Sequence, residues 1–228
     1  MRPPSVVVLD VNETLSDLRP MGQRFAEVGA DPSLARLWFA SVLRDGFALT
    51  AARSTATFRD LGADLLRELL PREVSAVPGE GPELERAVEH VLSGFMELPL
   101  YPDVAPGVRA LAEQGLRVVT LSNGSAEVAE RLLGDAGLRD LFSDVLSVED
   151  AGVWKPGPGA YEHAADVCGT PLPDMLMVAV HPWDVDGAAR AGMQTAWVDR
   201  DRRPYPSYAT PPVLTVASLV ELAGTLGA

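Results

Sequence analysis

The sequence predicts an α/β fold, a parallel sheet with helices on both faces, interrupted early by a helical insert. Three observations predict it. Ser5-Val6-Val7-Val8-Leu9-Asp10 is an unbroken apolar run closed by a carboxylate, the pattern of a strand buried on both faces. Between about residues 16 and 98 no strand pattern occurs, only apolar residues at helical spacing. From Val104 onward, short apolar runs alternate with single amphipathic segments, the arrangement of parallel strands joined by right-handed helical crossovers.

In the insert, Pro20 to Val28 is a short amphipathic segment. Asp31-Pro32-Ser33 then starts a helix, with an Asp cap and Pro at the first helical position, and Leu34, Leu37, Trp38 and Val42 follow at helical spacing. Leu61 to Leu70 is a further helix, with Pro71 expected to stop it. After the Pro78-Gly79 turn, Leu84, Val88, Val91, Leu92 and Phe95 mark a longer one, and Leu98 to Pro102 returns the chain to the sheet. Expected domains are thus 1–15 with 99–228 as the core and 16–98 as the insert. Within the core, helices are expected at Gly107–Gln114, Ser125–Ala136, Gly159–Cys168, Asp184–Ala191 and Ala217–Leu226. Strands are expected at Leu116–Leu121, Val145–Val148, Met175–Val180, Thr195–Val198 and, more weakly, Val213–Thr215. Gly115, Gly137, Gly169 and Gly192 close helices. Arg200 to Pro212 is a surface loop that could border a site.

Composition narrows the partners. Hydrophobic residues make up 47% of 228, enough for a large ordered core. A formal net charge of -13 argues against a nucleic-acid backbone or an anionic membrane as partner. One cysteine, Cys168, excludes an intrachain disulfide framework and a cysteine-cluster zinc site. No apolar run reaches spanning length and the first is cut at Asp10, so a soluble cytoplasmic protein is expected.

Ligand sites of open α/β sheets lie at the carboxyl ends of the strands. Those ends carry Asp10 with Asn12 and Thr14, then Ser122 with Asn123, then Lys155, then His181 with Asp184. Singly, each has a plain alternative: a turn aspartate, a helix cap, a solvated lysine, a packed histidine. Jointly they supply a carboxylate that can attack, amides and hydroxyls that can hold an anion, one ammonium and a second carboxylate. The chemistry they point to is covalent catalysis at Asp10, with Lys155 supporting its charge. Asp184 would orient or activate water, hold a cation, or fix Lys155, and His181 is a candidate base beside it.

These segments resemble the haloacid dehalogenase superfamily of hydrolases. The matching pieces are Val7-Val8-Leu9-Asp10-Val11-Asn12-Glu13-Thr14-Leu15, Leu121-Ser122-Asn123-Gly124, Lys155-Pro156-Gly157-Pro158, and Asp184 with Gly187, Ala188, Ala191 and Gly192. The resemblance implies a Rossmann-like three-layer α/β/α sandwich whose helical insert is a small cap that closes over the catalytic edge and selects substrate. Phosphatases of the superfamily have a second aspartate two residues after the nucleophile and a further acid four residues before Asp184; here these positions are Asn12 and Val180. The pattern is closer to the L-2-haloacid dehalogenase branch, which needs neither that aspartate nor magnesium. Lys155-Pro156-Gly157-Pro158-Gly159-Ala160-Tyr161 and Trp183-Asp184 carry this likeness.

By carry-over, Asp10 is the nucleophile, Thr14, Ser122 and Asn123 bind carboxylate or position Asp10, Lys155 stabilises its charge, Tyr161 assists, and Asp184 orients water. Asn12, Trp38, Phe39 and Trp183 complete the expected substrate surroundings, with Trp38 and Phe39 as cap packing or a substrate wall. The branch has an arginine after its cap tryptophan, and here that position is Phe39, which cannot pair with an anion; Arg44 or Arg53 could substitute. Asn12 replaces an aromatic residue of the branch, and Ala179 and His181 replace its serine and asparagine. The expected activity is 2-haloacid dehalogenase-like hydrolysis of a small carboxylic acid, with a small anionic substrate, no cofactor and, through apolar cap helices, a potential homodimer. One alternative is a magnesium-dependent phosphatase of small phosphate esters, binding metal through Asp10, the Asn12 backbone and Asp184. The other is a non-catalytic ligand-binding or interaction protein of the same fold.

Overall fold

A computed structural model describes residues 2–228. The chain divides into two compact units, Met1–Ser16 with Pro99–Ala228, and Asp17–Leu98. The larger unit is built on six strands: β1 (Val6–Leu9), β2 (Arg117–Ser122), β3 (Phe142–Ser147), β4 (Met175–Ala179), β5 (Gln194–Val198) and β6 (Leu214–Val216). They form one parallel sheet in the order β3-β2-β1-β4-β5-β6. The chain winds outward from β1 through β2 to β3, then crosses back to β4 on the other side of β1. β1 therefore lies at the switch point, where the crossovers on its two sides leave in opposite directions and open a crevice at the strands' carboxyl ends.

The smaller unit is helical: α1 (Met21–Glu27), α2 (Leu34–Ala51), α3 (Phe58–Glu73) and α4 (Pro82–Ser93). Its centre is aromatic. Trp38 of α2 lies against Phe25, Phe58 and Phe95 with ring centroids 5.7–6.2 Å apart, and its indole N–H donates to Gly62 O at 3.0 Å. Gly62 is required there, because a Cβ would sit 3.0 Å from the Trp38 ring. Pro71 does not stop α3 as expected but lies inside it. A proline so near the helix end removes one donor, while Leu66 and Leu70 keep the apolar face buried and Val74 N–H closes onto Leu70 O at 2.9 Å.

The larger unit's helices are α5 (Val104–Glu113), α6 (Ala126–Asp135), α7 (Val148–Ala151), α8 (Pro158–Cys168), α9 (Pro182–Ala191) and α10 (Leu219–Leu226). Alternation along the strands feeds two cores. Val7, Leu9 and Val118 pack with α5, α6 and α10 on one face, whereas Val6, Val8, Val119 and Leu121 pack with α8 and α9 on the other. The result is a Rossmann-like α/β/α sandwich with an inserted helical cap. β3 begins at Phe142, three residues before the expected Val145, because an edge strand tolerates polar Ser143 and Asp144; Asp144 pairs with Arg117 of β2 at 2.7 Å. α9 begins at Pro182 rather than Asp184, using proline at its first position. Among the described residues no helix is long and apolar enough to cross a membrane.

α5 and α10 touch at Gly107, where an added Cβ would lie 2.5 Å from Leu219 Cβ and 2.7 Å from its backbone carbon. Backbone cannot swing aside as a side chain can. Gly107→Ala is therefore expected to lose about 1–3 kcal/mol by overpacking. Gly134→Ala, exposed in α6 with nothing within 4 Å of the new methyl, should gain about 0.4–1 kcal/mol. Urea denaturation of both variants checks the contrast.

Candidate active site

β1 delivers its last backbone bond through Asp10, whose N–H donates to Val178 O at 3.0 Å, and the chain then turns sharply. Val11 and Leu15 are buried and anchor the turn; the Leu15 and Ser16 N–H groups both donate to Val11 O. The turn folds Thr14 back so that its hydroxyl donates to Asp10 Oδ2 at 2.6 Å while accepting from Val180 N–H at 3.1 Å. Thr14 thus holds one oxygen of the carboxylate against the end of the neighbouring strand. Arg200 fixes the turn from behind: its guanidinium donates to Thr14 O at 2.9 Å, is paired with Asp103 and lies 4.3 Å over the Tyr101 ring.

Lys155 reaches the same carboxylate from the segment after β3. Its ammonium donates to Asp10 Oδ1 at 2.8 Å, Asp184 Oδ2 at 2.6 Å and Leu121 O at 2.7 Å. All three N–H bonds of the ammonium are used. Lys155 and Asp184 are fully buried and Asp10 nearly so. Burial alone would push the lysine pKa down, but the two carboxylates overcome this and hold it above the usual lysine range. Burial pushes Asp184 up to about 6, against the opposing pull of Lys155. The other oxygen of Asp184 accepts from Tyr161 OH at 2.8 Å, and burial with this neighbouring charge keeps the phenol protonated.

The neighbours of Lys155 serve its placement. Asn123 clasps the lysine backbone with both ends of its amide, accepting from Lys155 N–H at 2.9 Å and donating to Lys155 O at 3.1 Å. Ser122 Oγ accepts from Gly124 N–H at 2.9 Å, and Gly124 O accepts from Ser147. A Cβ at Gly124 would lie 3.4 Å from Asn12 Nδ2 and 3.3 Å from Ser122 Oγ, so Asn12 and Ser122 flank one glycine. Gly187 admits Pro156 and Tyr161 at distances where a Cβ would meet them at 2.5 and 2.7 Å.

His181 caps α9 beside the nucleophile. Its Nδ1 lies 3.6 Å from Asp10 Oδ2 and its Nε2 lies 2.9 Å from Glu13 Oε2. Burial pushes its pKa down to about 4, Asp10 opposing and Lys155 with Arg203 reinforcing the shift, so the imidazole is neutral at pH 7. Its ring lies 5.0 Å from that of Trp183.

Asp10, Asn12, Thr14, Ser122, Asn123, Lys155, Tyr161, His181, Trp183 and Asp184 are therefore gathered at one edge of the larger unit. Tyr161 is fully buried and donates to Asp184. Trp38 is spent on the aromatic centre of the smaller unit, 2% exposed, and Phe39 is buried beside Phe58 and Phe95. In that unit Arg44 is paired with Asp45, and Arg53 is exposed in a left-handed conformation. Sequence reasoning gave no role to Glu13 or Arg200. A polar residue in the turn after the nucleophile was the signal for the first; the second opens a loop that was expected only to border a site.

Lys155 bridges Asp10 and Asp184, the two carboxylates that the magnesium alternative would use, so a metal there would share their oxygens with the ammonium. Among the described residues no cluster of three or more His, Cys, Asp or Glu side chains could hold an ion.

Removing the ammonium strands two buried carboxylates. Lys155→Met is expected to cost about 3–5 kcal/mol at pH 7 and to abolish activity. Urea denaturation measures the loss, and a cost below about 1 kcal/mol would show that the cluster is not held as a buried ion network.

The sequence profile for haloacid dehalogenase-like hydrolases matches residues 4–192. The chain is 31% identical over 218 residues to (S)-2-haloacid dehalogenase 4A of Burkholderia cepacia, covering 94% of this chain and 91% of that protein. It is also 35% identical over 170 residues to the phosphoserine phosphatase of Thermus thermophilus, covering 72% and 68%. The crystal structure of a dehalogenase with an intermediate complex superposes with a TM-score of 0.87 at 28% identity, covering 100% of this chain and 99% of that one. The chain belongs to the haloacid dehalogenase-like hydrolases, close to their L-2-haloacid dehalogenase branch.

Proposed function

We propose that this hydrolase cleaves the carbon–halogen bond of a small 2-halocarboxylic acid through an ester on Asp10. The observation that carries this reading is the pairing of a doubly held Asp10 with an amide at Asn12. Lys155 and Thr14 each take one carboxylate oxygen, which aims the group and sets an ammonium beside it. Attack on carbon expels halide, a leaving group that needs no proton. Phosphate-ester cleavage would need an acid near the departing alkoxide, and Asn12 has none to give. The likeness to (S)-2-haloacid dehalogenases over nearly the full chain supports the same reading.

In the first step an Asp10 oxygen displaces halide, and the Cγ–O–C ester forms. In the second, water adds to Cγ, the ester bond breaks, and the 2-hydroxy acid leaves. Lys155 and Asp184 act in this reading as a fixed ion pair: Lys155 steadies Asp10, and Asp184, its oxygens already engaged, holds Lys155. His181, neutral and adjacent to Asp10, is the base for water. Asn12, Ser122 and Trp183 border the place where the small acid sits.

A second reading, phosphate-ester hydrolysis, is favoured by the likeness to the Thermus phosphatase. A panel of chloro-, bromo- and fluoroacetate with 2-chloropropionate, run beside phosphoserine with magnesium, separates the two. Halide release that survives EDTA and disappears in Asp10→Asn is expected. Metal-dependent phosphate release without halide release would move the assignment to the second reading.

A further inference from the structure

We infer that Glu13 is a positioning residue that fixes His181 in the tautomer with a proton on Nε2 and a bare Nδ1 facing the Asp10 ester. The inference deepens the proposed hydrolysis and rests on it for the role of His181. Three features carry it. First, the two ring nitrogens point in opposite chemical directions: Nε2 is 2.9 Å from a Glu13 carboxylate oxygen, while Nδ1 is buried and makes no hydrogen bond. Second, Nδ1 is 3.6 Å from Asp10 Oδ2, too far for a hydrogen bond, so its unpaired side faces the carboxyl that the ester would form on. Third, Glu13 adopts φ 63°, a left-handed conformation unfavourable for any residue but glycine, and it is this turn of the backbone that delivers the carboxylate to His181.

A carboxylate can only accept, so the hydrogen between Glu13 and His181 belongs to the imidazole. That leaves the lone pair on Nδ1. The fit is reinforced by burial, which keeps the ring neutral at pH 7. The step balances as follows. Water oxygen bonds to Cγ of the Asp10 ester while one water proton passes to Nδ1. The Cγ–O bond to the substrate-derived carbon then breaks, and the proton on Nδ1 goes to the departing alkoxide, giving the hydroxy acid. The second water proton leaves the restored Asp10 carboxyl to solvent. Glu13 stabilises the transient imidazolium through its charge and never touches the reacting atoms.

The test combines two variants and two readouts. Glu13→Gln keeps the length and an acceptor but loses the charge. Glu13→Gly relieves the left-handed backbone and so should fold at least as stably as the parent. With chloroacetate under single-turnover conditions, both are expected to form the Asp10 ester at the parental rate and hydrolyse it about 10- to 100-fold more slowly, so that the ester accumulates and is seen by mass spectrometry. A variant whose unfolding midpoint is unchanged or raised while ester hydrolysis falls separates positioning from a structural role. Histidine 15N NMR of the free enzyme, with His181→Gln to assign the signal among the three histidines, is expected to show an unprotonated Nδ1 that becomes mixed in Glu13→Gln. Equal rates for both steps in the variants, or a protonated Nδ1 in the parent, would overturn the inference. The expected NMR signature with no ester formed from any haloacid would instead overturn the reaction while leaving the Glu13–His181 pairing in place.

Discussion

One ammonium group organises this active-site edge. Lys155 is fully buried and must be neutralised by partners placed within hydrogen-bond distance, and Asp10 and Asp184 do this from two different strand ends. An isolated buried charge would cost several kcal/mol, so the fold forms only when these ends converge. The requirement spreads outward. Asn123 clamps the lysine backbone, Tyr161 satisfies the far oxygen of Asp184, and Gly187 leaves room for Tyr161 and Pro156 to approach. Side chains that look like separate site residues are largely the scaffold of a single ion cluster.

The same cluster explains how a carboxylate can serve as a nucleophile. Two carboxylates share one ammonium, so the free state carries one excess negative charge. In the proposed reaction, alkylation of Asp10 would remove that charge and leave Lys155 and Asp184 balanced. In the proposed second step water is activated at His181, which lies outside this ion cluster.

Much of this was legible in the sequence. The apolar run ending at Asp10, and the later runs ending near Ser122, Lys155 and His181, placed the chemical types at one sheet edge because parallel strands all point the same way. Pairing was less legible. Periodicity gives no distance between Asp184 and Tyr161, which lie 23 residues apart and meet through Gly187. It also could not tell a tryptophan that lines a site from one that fills a core; Trp38 proved to be the latter because Phe25, Phe58 and Phe95 converge on it. Pro71 read as a helix stop since local propensity ignores the buried leucines that carry α3 past it. Glu13 was legible only as a polar residue after the nucleophile; its pairing with His181 comes with a left-handed backbone that no composition rule assigns to glutamate.

The central claim is that Asp10 carries substrate as an ester and is restored by water. It is tested most directly by a single turnover of chloroacetate with enzyme in excess in H2 18O, followed by mass spectrometry of the product and of the peptide containing Asp10. The account predicts that 18O enters Asp10 while the released hydroxy acid carries the ordinary oxygen taken from the enzyme. Direct appearance of 18O in the product of the first turnover, with Asp10 unlabelled, would contradict it.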